Sequence, residues 1–153
     1  MTKVVVIVCL MLAVAFTVSS CKKTTESELV NGLWQVNNVN LDTASSNYLN
    51  KFQNYNGCTN CAYKLSFQES DIIIAYYISN DSIIHLATGT WSVPSYTKVT
   101  IKVDDFIDGT FNISRPLLSH WILTTNLNHI AAFDHGVNPQ FDTCYTKVDM
   151  VKI

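Results

Sequence analysis

What most constrains the fold of this chain is a succession of short segments in which apolar and polar residues alternate, separated by turn-forming pairs. Tyr63, Leu65 and Phe67 alternate with Lys64 and Ser66. Val99, Ile101 and Val103 alternate with Lys98, Thr100 and Lys102, and Phe111 and Ile113 flank Asn112. A period of two puts every apolar side chain of a strand on one face of a sheet. Three further runs, 72–78, 83–87 and 117–123, are apolar on both faces and suit buried strands or a wet ligand cavity on one side. Turn chemistry separates the runs at Asn80-Asp81, Pro94-Ser95 and Asp108-Gly109. Strands are expected over 33–41, 62–68, 71–79, 82–92, 97–103, 109–115, 118–125 and 144–152, with a short piece at 129–133. The connections are mostly of hairpin length, so sequence neighbours should pair antiparallel, in a barrel or a sandwich. The stretch 42–60 is expected to be a long loop with one or two helical turns.

The N-terminus has a different grammar. Lys3 is followed by an apolar run over 4–14, then by smaller and more polar residues up to Ser20, and then by Cys21. The run is short for a membrane span and suits a secretory leader. Val18-Ser19-Ser20-Cys21 resembles the lipobox of bacterial lipoproteins. The resemblance implies cleavage before Cys21 and a lipid on its thiol, so that the mature protein meets the membrane through acyl chains such as palmitate. The expected organisation is a signal peptide over 1–20, the lipidated Cys and a flexible tether over 21–29, and one β domain over 30–153. About 130 residues remain after the leader, enough for one core. In enteric bacteria an Asp after the lipidated Cys holds a lipoprotein at the inner membrane. Lys22 stands there instead, which points to the outer membrane. The formal net charge of −2 gives no electrostatic basis for binding nucleic acid.

Gly32-Leu33-Trp34 opens the first expected strand. This G-x-W resembles the first motif of the lipocalins, as do the long loop 42–60 and the chain of hairpins after it. The whole precursor is similar to the lipocalin-like lipoproteins of Bacteroidetes. The resemblance implies an all-β, antiparallel, up-and-down eight-stranded barrel. It also implies that Trp34 closes the narrow end under a cation from the last strand, Lys147 or Lys152 here. The sequence has one arginine, Arg115, on an earlier strand. Gly89-Thr90-Trp91 repeats the tripeptide and reads as a glycine bulge before a strand aromatic.

Other chemistry is sparse. An exported compartment is oxidising, so Cys58, Cys61 and Cys144 should include one disulfide. If the eight strands run up and down, the second and eighth both start beside the far end of the first. The favoured bridge is then Cys61 to Cys144, with Cys58 as the alternative partner of Cys144 and a Cys58–Cys61 ring as the competitor. Cys58-Thr59-Asn60-Cys61 precedes a strand rather than opening a helix, which speaks against redox catalysis. His85, His120, His129 and His135 are scattered, with His120-Trp121 and Asp134-His135 as local pairs. No phosphate loop, nucleophile elbow or zinc motif is present. Asp42-Thr43-Ala44 and Asp81-Ser82-Ile83 resemble the O-glycan acceptor of Bacteroidetes. Tyr48, Phe52 and Tyr55 are candidates for a lid packed on the barrel rim.

The expected function is that of a lipid-anchored envelope barrel, not an enzyme, that binds or shields a small apolar ligand without cofactor or metal. The alternative is a barrel filled by its own side chains that serves as a structural or protein-interaction module. Interior volume separates the two.

Overall fold

A computed structural model describes residues 23–41, 49, 61–103, 106–125 and 146–153. It contains eight strands: β1 Leu33–Leu41, β2 Ala62–Phe67, β3 Ile72–Ser79, β4 Ser82–Ser95, β5 Lys98–Val103, β6 Ile107–Leu117, β7 His120–Thr125 and β8 Thr146–Lys152. Each pairs antiparallel with its sequence neighbour, and β1 pairs with β8, so the sheet closes into an up-and-down barrel.

The alternation in the sequence becomes the inside and outside of this barrel. Tyr63, Leu65 and Phe67 on β2 and Val99, Ile101 and Val103 on β5 are buried. β1 adds a device that the sequence pattern hides. Trp34 and Val36 point inward, and the register against β8 then slips between Val36 and Asn38. The extra residue restores an inward position to Val39, which is fully buried. Without that bulge Val39 would face outward and Asn38 inward.

Several boundaries differ from the sequence reading. Asp108-Gly109 is no turn: both residues lie inside β6, opposite Lys102 and Ile101. The connection falls just before, where Phe106 N–H donates to Val103 O and the Phe106 ring enters the core. β4 runs on through Pro94, and the turn is Tyr96-Thr97. Pro94 sits where the β4–β5 register is broken between Ser92 and Ser95, the place in a sheet that tolerates a missing donor. Gly89 is not the bulge either. The β3–β4 register shifts at Ala75/Tyr76, which leaves Leu86 as the extra residue. Gly89 is instead a point of close approach, where a Cβ would stand 1.9 Å from the Lys102 carbonyl oxygen. The short piece at 129–133 and the first residues expected of β8 lie outside the described residues.

The segment expected as a flexible tether also differs. Residues 23–30 form a helix, α1. Thr25 and Leu29, one turn apart, are buried. Two polar-flanked positions at helical spacing are a faint signal, and the polar residues between them mask it. Asn31 N–H and Gly32 N–H close the last turn on Ser27 O and Leu29 O.

Candidate functional site

The barrel has two ends. α1 lies at the one where β1, β3, β5 and β7 begin and β2, β4, β6 and β8 finish. Trp34, two residues into β1, is fully buried, and its indole N–H donates to Leu29 O at 3.1 Å. Its ring packs against Trp121 of β7 at 4.9 Å between centroids, tilted by 53°. The two indoles form the floor of the barrel, and α1 lies across it.

A cation on this floor is Arg115, over Trp121 rather than Trp34. Its guanidinium carbon sits 4.4 Å from the centre of the Trp121 ring. Nη2 donates to Thr25 Oγ1 at 2.8 Å and both terminal nitrogens reach Tyr96 O at 3.3 Å. Nε lies 3.3 Å from Glu28 Oε2. One side chain thus ties α1, the β4–β5 turn and the end of β6 to the tryptophan floor. Strand parity explains why Lys147 does not do this. Lys147 stands opposite Asn40 and Thr124 on the outer face, while Val148 and Met150 point inward. Lys152 is in register with Trp34, but its stem passes over Gly32, where a Cβ would meet Lys152 Cε at 2.5 Å. Gly32 therefore leaves room for Lys152.

Beside α1 a groove of about 350 Å³ runs between Lys23, Glu26 and Val30 on one side and Glu69, Asp71 and Trp91 on the other. Two hydrogen bonds tie the second wall together: Trp91 N–H donates to Asp71 O and its indole N–H to Gln68 O. The Trp91 ring meets Phe67 edge-on at 5.3 Å.

Among the described residues, much of the interior above the floor is closely packed, while Ala87 and Ile113 are only partly buried. Val39, Leu65, Ala75, Ile101, Phe111, Leu123 and Val148, one from each strand but β4, have no accessible surface. A void roomy enough for water would leave such surface on the side chains around it. At the far end the Tyr63 ring contacts Tyr77 at 5.7 Å and Phe106 at 6.1 Å. Leu49 is buried within the same core cluster.

The remaining candidates do not converge on one site. His120 and Trp121 are split by the strand: Trp121 points inward, and His120 Nε2 lies 3.0 Å from Asp149 Oδ2 on the outer face. His85 is exposed and bonds Thr88 Oγ1. Ser82 is exposed beside the β3–β4 turn, whose Asn80 and Asp81 have φ of 49° and 62°. Cys61 is disulfide-bonded at the start of β2; Cys58 and Cys144 lie outside the described residues. So do Cys21, the lid candidates Tyr48, Phe52 and Tyr55, His129, His135 and Thr43. Among the described residues, no group of three or more His, Cys, Asp or Glu side chains is placed to hold a metal ion, and no helix is long and apolar enough to cross a membrane. The sequence reading named Arg115 and Trp121 without bringing them together and missed Thr25 and Glu28; among the described residues these four make a connected polar and aromatic cluster. Comparison with known proteins finds no family model and no curated protein that this sequence matches.

Proposed function

We propose that this chain is a lipid-anchored, lipocalin-like barrel of the bacterial envelope that works through its outer surface and rims as an interaction module, without catalysis. Seven inward residues, one from each of seven strands, support this reading, since each is fully buried among its neighbours; a small-molecule site needs some 300–1,000 Å³. The lipid anchor rests on the ordered leader that ends at Val18-Ser19-Ser20-Cys21, and the outer membrane on Lys22 after it. Native mass spectrometry of the protein from its own host tests the filled barrel. The expected mass is that of the acylated chain alone, and a small molecule retained one to one overturns it. Labelling cells with a radioactive fatty acid tests the anchor, with uptake by the wild type and none by Cys21→Ser.

The Tyr63, Tyr77 and Phe106 rings favour a second reading. They lie at the end opposite α1, where β1 and β7 finish and β2 and β8 begin. An apolar ligand taken there would have to part these rings. Deleting 44–54 should then weaken an apolar fluorescent probe while the fold persists. Unchanged probe affinity returns the weight to the filled module.

A further inference from the structure

We propose that the α1 end of the barrel rests on the bilayer, with Leu117 and Leu118 of the β6–β7 turn and Tyr96 of the β4–β5 turn at the headgroup–acyl boundary. The inference builds on the lipid anchor at Cys21 and adds which end of the molecule faces the lipid.

The first support is connectivity. Thr25 is fixed in place, since its hydroxyl bonds Tyr96 O and receives Arg115 Nη2. Cys21 is four residues away, so its Cα lies within about 14 Å of Thr25, even for a fully extended chain. A lipid on Cys21 therefore holds the bilayer close to this end, with no long tether between.

The second support is composition. Leu117 and Leu118 follow Arg115 by two and three residues and are 64 % and 81 % exposed, and Tyr96 is 51 % exposed. Turns in water are usually polar, and an exposed apolar cluster of this kind marks a contact surface. The Tyr ring, with an apolar body and a polar tip, suits the membrane interface. The charges at this end do not choose a lipid. Exposed Lys23 and Lys98 are matched by exposed Glu69 and Asp71, and Arg115 is paired with Glu28. The contact is thus apolar, and it tilts the barrel so that the acidic β2–β3 turn stays in water. Amphipathic surfaces of this kind bury their apolar side about 5–10 Å into the headgroup–acyl boundary.

The test uses the full chain, acylated in a bacterial host and reconstituted in phosphatidylcholine vesicles. Leu118→Trp reports on the proposed contact. Ile83→Trp, at a similarly exposed site (72 %) next to the opposite tip, is the control. The added emission of Leu118→Trp should be blue-shifted and quenched when the acyl chains are brominated, and that of Ile83→Trp should be neither. Hydroxyl-radical footprinting of the unmodified protein gives a readout free of substitution: vesicles should protect Tyr96, Leu117 and Leu118 and leave Ile83 reactive. Equal quenching at both sites, or an unprotected Leu117-Leu118 turn in acylated protein, overturns the orientation and leaves the anchor standing. A mass spectrum without acyl chains on Cys21 overturns both.

Discussion

Arg115 does work that the last strand was expected to do. Its charge lies over Trp121, a contact worth roughly 0.5–2 kcal/mol, and its fork satisfies two oxygens on two elements. A lysine keeps the charge but not the planar fork. Arg115→Lys should therefore cost about 1–2 kcal/mol in urea unfolding. Glu28→Gln should cost less than about 1 kcal/mol, because that ion pair is a quarter to a third exposed and screened by water. The tryptophan floor gives a sharper test. Trp34→Ala removes a large, fully buried ring and should cost about 3–5 kcal/mol. In double-mutant cycles Trp34 should couple to Trp121 by about 0.5–1.5 kcal/mol, as tilted aromatic pairs do, and not to Lys147, which faces away. Coupling to Lys147 in place of Trp121 would contradict the parity of β8.

At the scale of elements, the β3–β4 hairpin shows how turn chemistry sets register. Asn80 and Asp81 both hold φ near the left-handed region, the geometry of a two-residue type I′ turn. Asn accepts it readily and Asp less so, whereas glycine has no Cβ to strain. Asp81→Gly should raise stability by about 0.5–1 kcal/mol, read as a shift of the thermal midpoint. A loss would mean that the Asp side chain supports the turn in a way its φ does not show. The same hairpin was legible in the sequence, because Asn-Asp between two apolar runs has one economical solution. Asp108-Gly109 is also a two-residue turn signal, and it misled for a physical reason. The inward rows of β5 and β6 continue past it, and burial of Ile107 and Phe106 outweighs a local turn preference. α1 was not legible, since Thr25 and Leu29 show their burial only once the floor beneath them exists. Arg115 was named as the one arginine, but strand order alone did not show that the end of β6 would meet the helix. The bulge in β1 was hidden for a similar reason: its inward positions, Trp34, Val36 and Val39, break the period of two.

For the whole molecule, the closing contacts are β1 with β8 at one seam and the disulfide at Cys61 near the far end. Cys61 is 7 % exposed and belongs to the core cluster, so its sulfur is both bonded and shielded. Its position against β1 bears on the partner. β2 pairs with β1 as far as Val36, opposite Tyr63, while β8 begins opposite Leu41. The start of β8 therefore stands several residues further along β1 than Cys61 does. A bridge to Cys144 requires the chain before Thr146 to turn back across the end of β1. A bridge to Cys58 closes only the C-x-x-C ring. The long bridge would shut a loop of about 80 residues and stabilise by about 4 kcal/mol in the chain-entropy account; the short ring contributes much less. Alkylation of the folded protein without reductant should leave Cys61 unmodified and label one of the other two cysteines. If Cys58 takes the label, Cys144 is the partner, and reduction should lower the thermal midpoint by about 12–24 °C, since each kcal/mol moves a domain of this size by about 3–6 °C. If Cys144 takes the label, the ring is the short one, and reduction should move the midpoint little. Labelling of Cys61 itself would remove the disulfide from the fold.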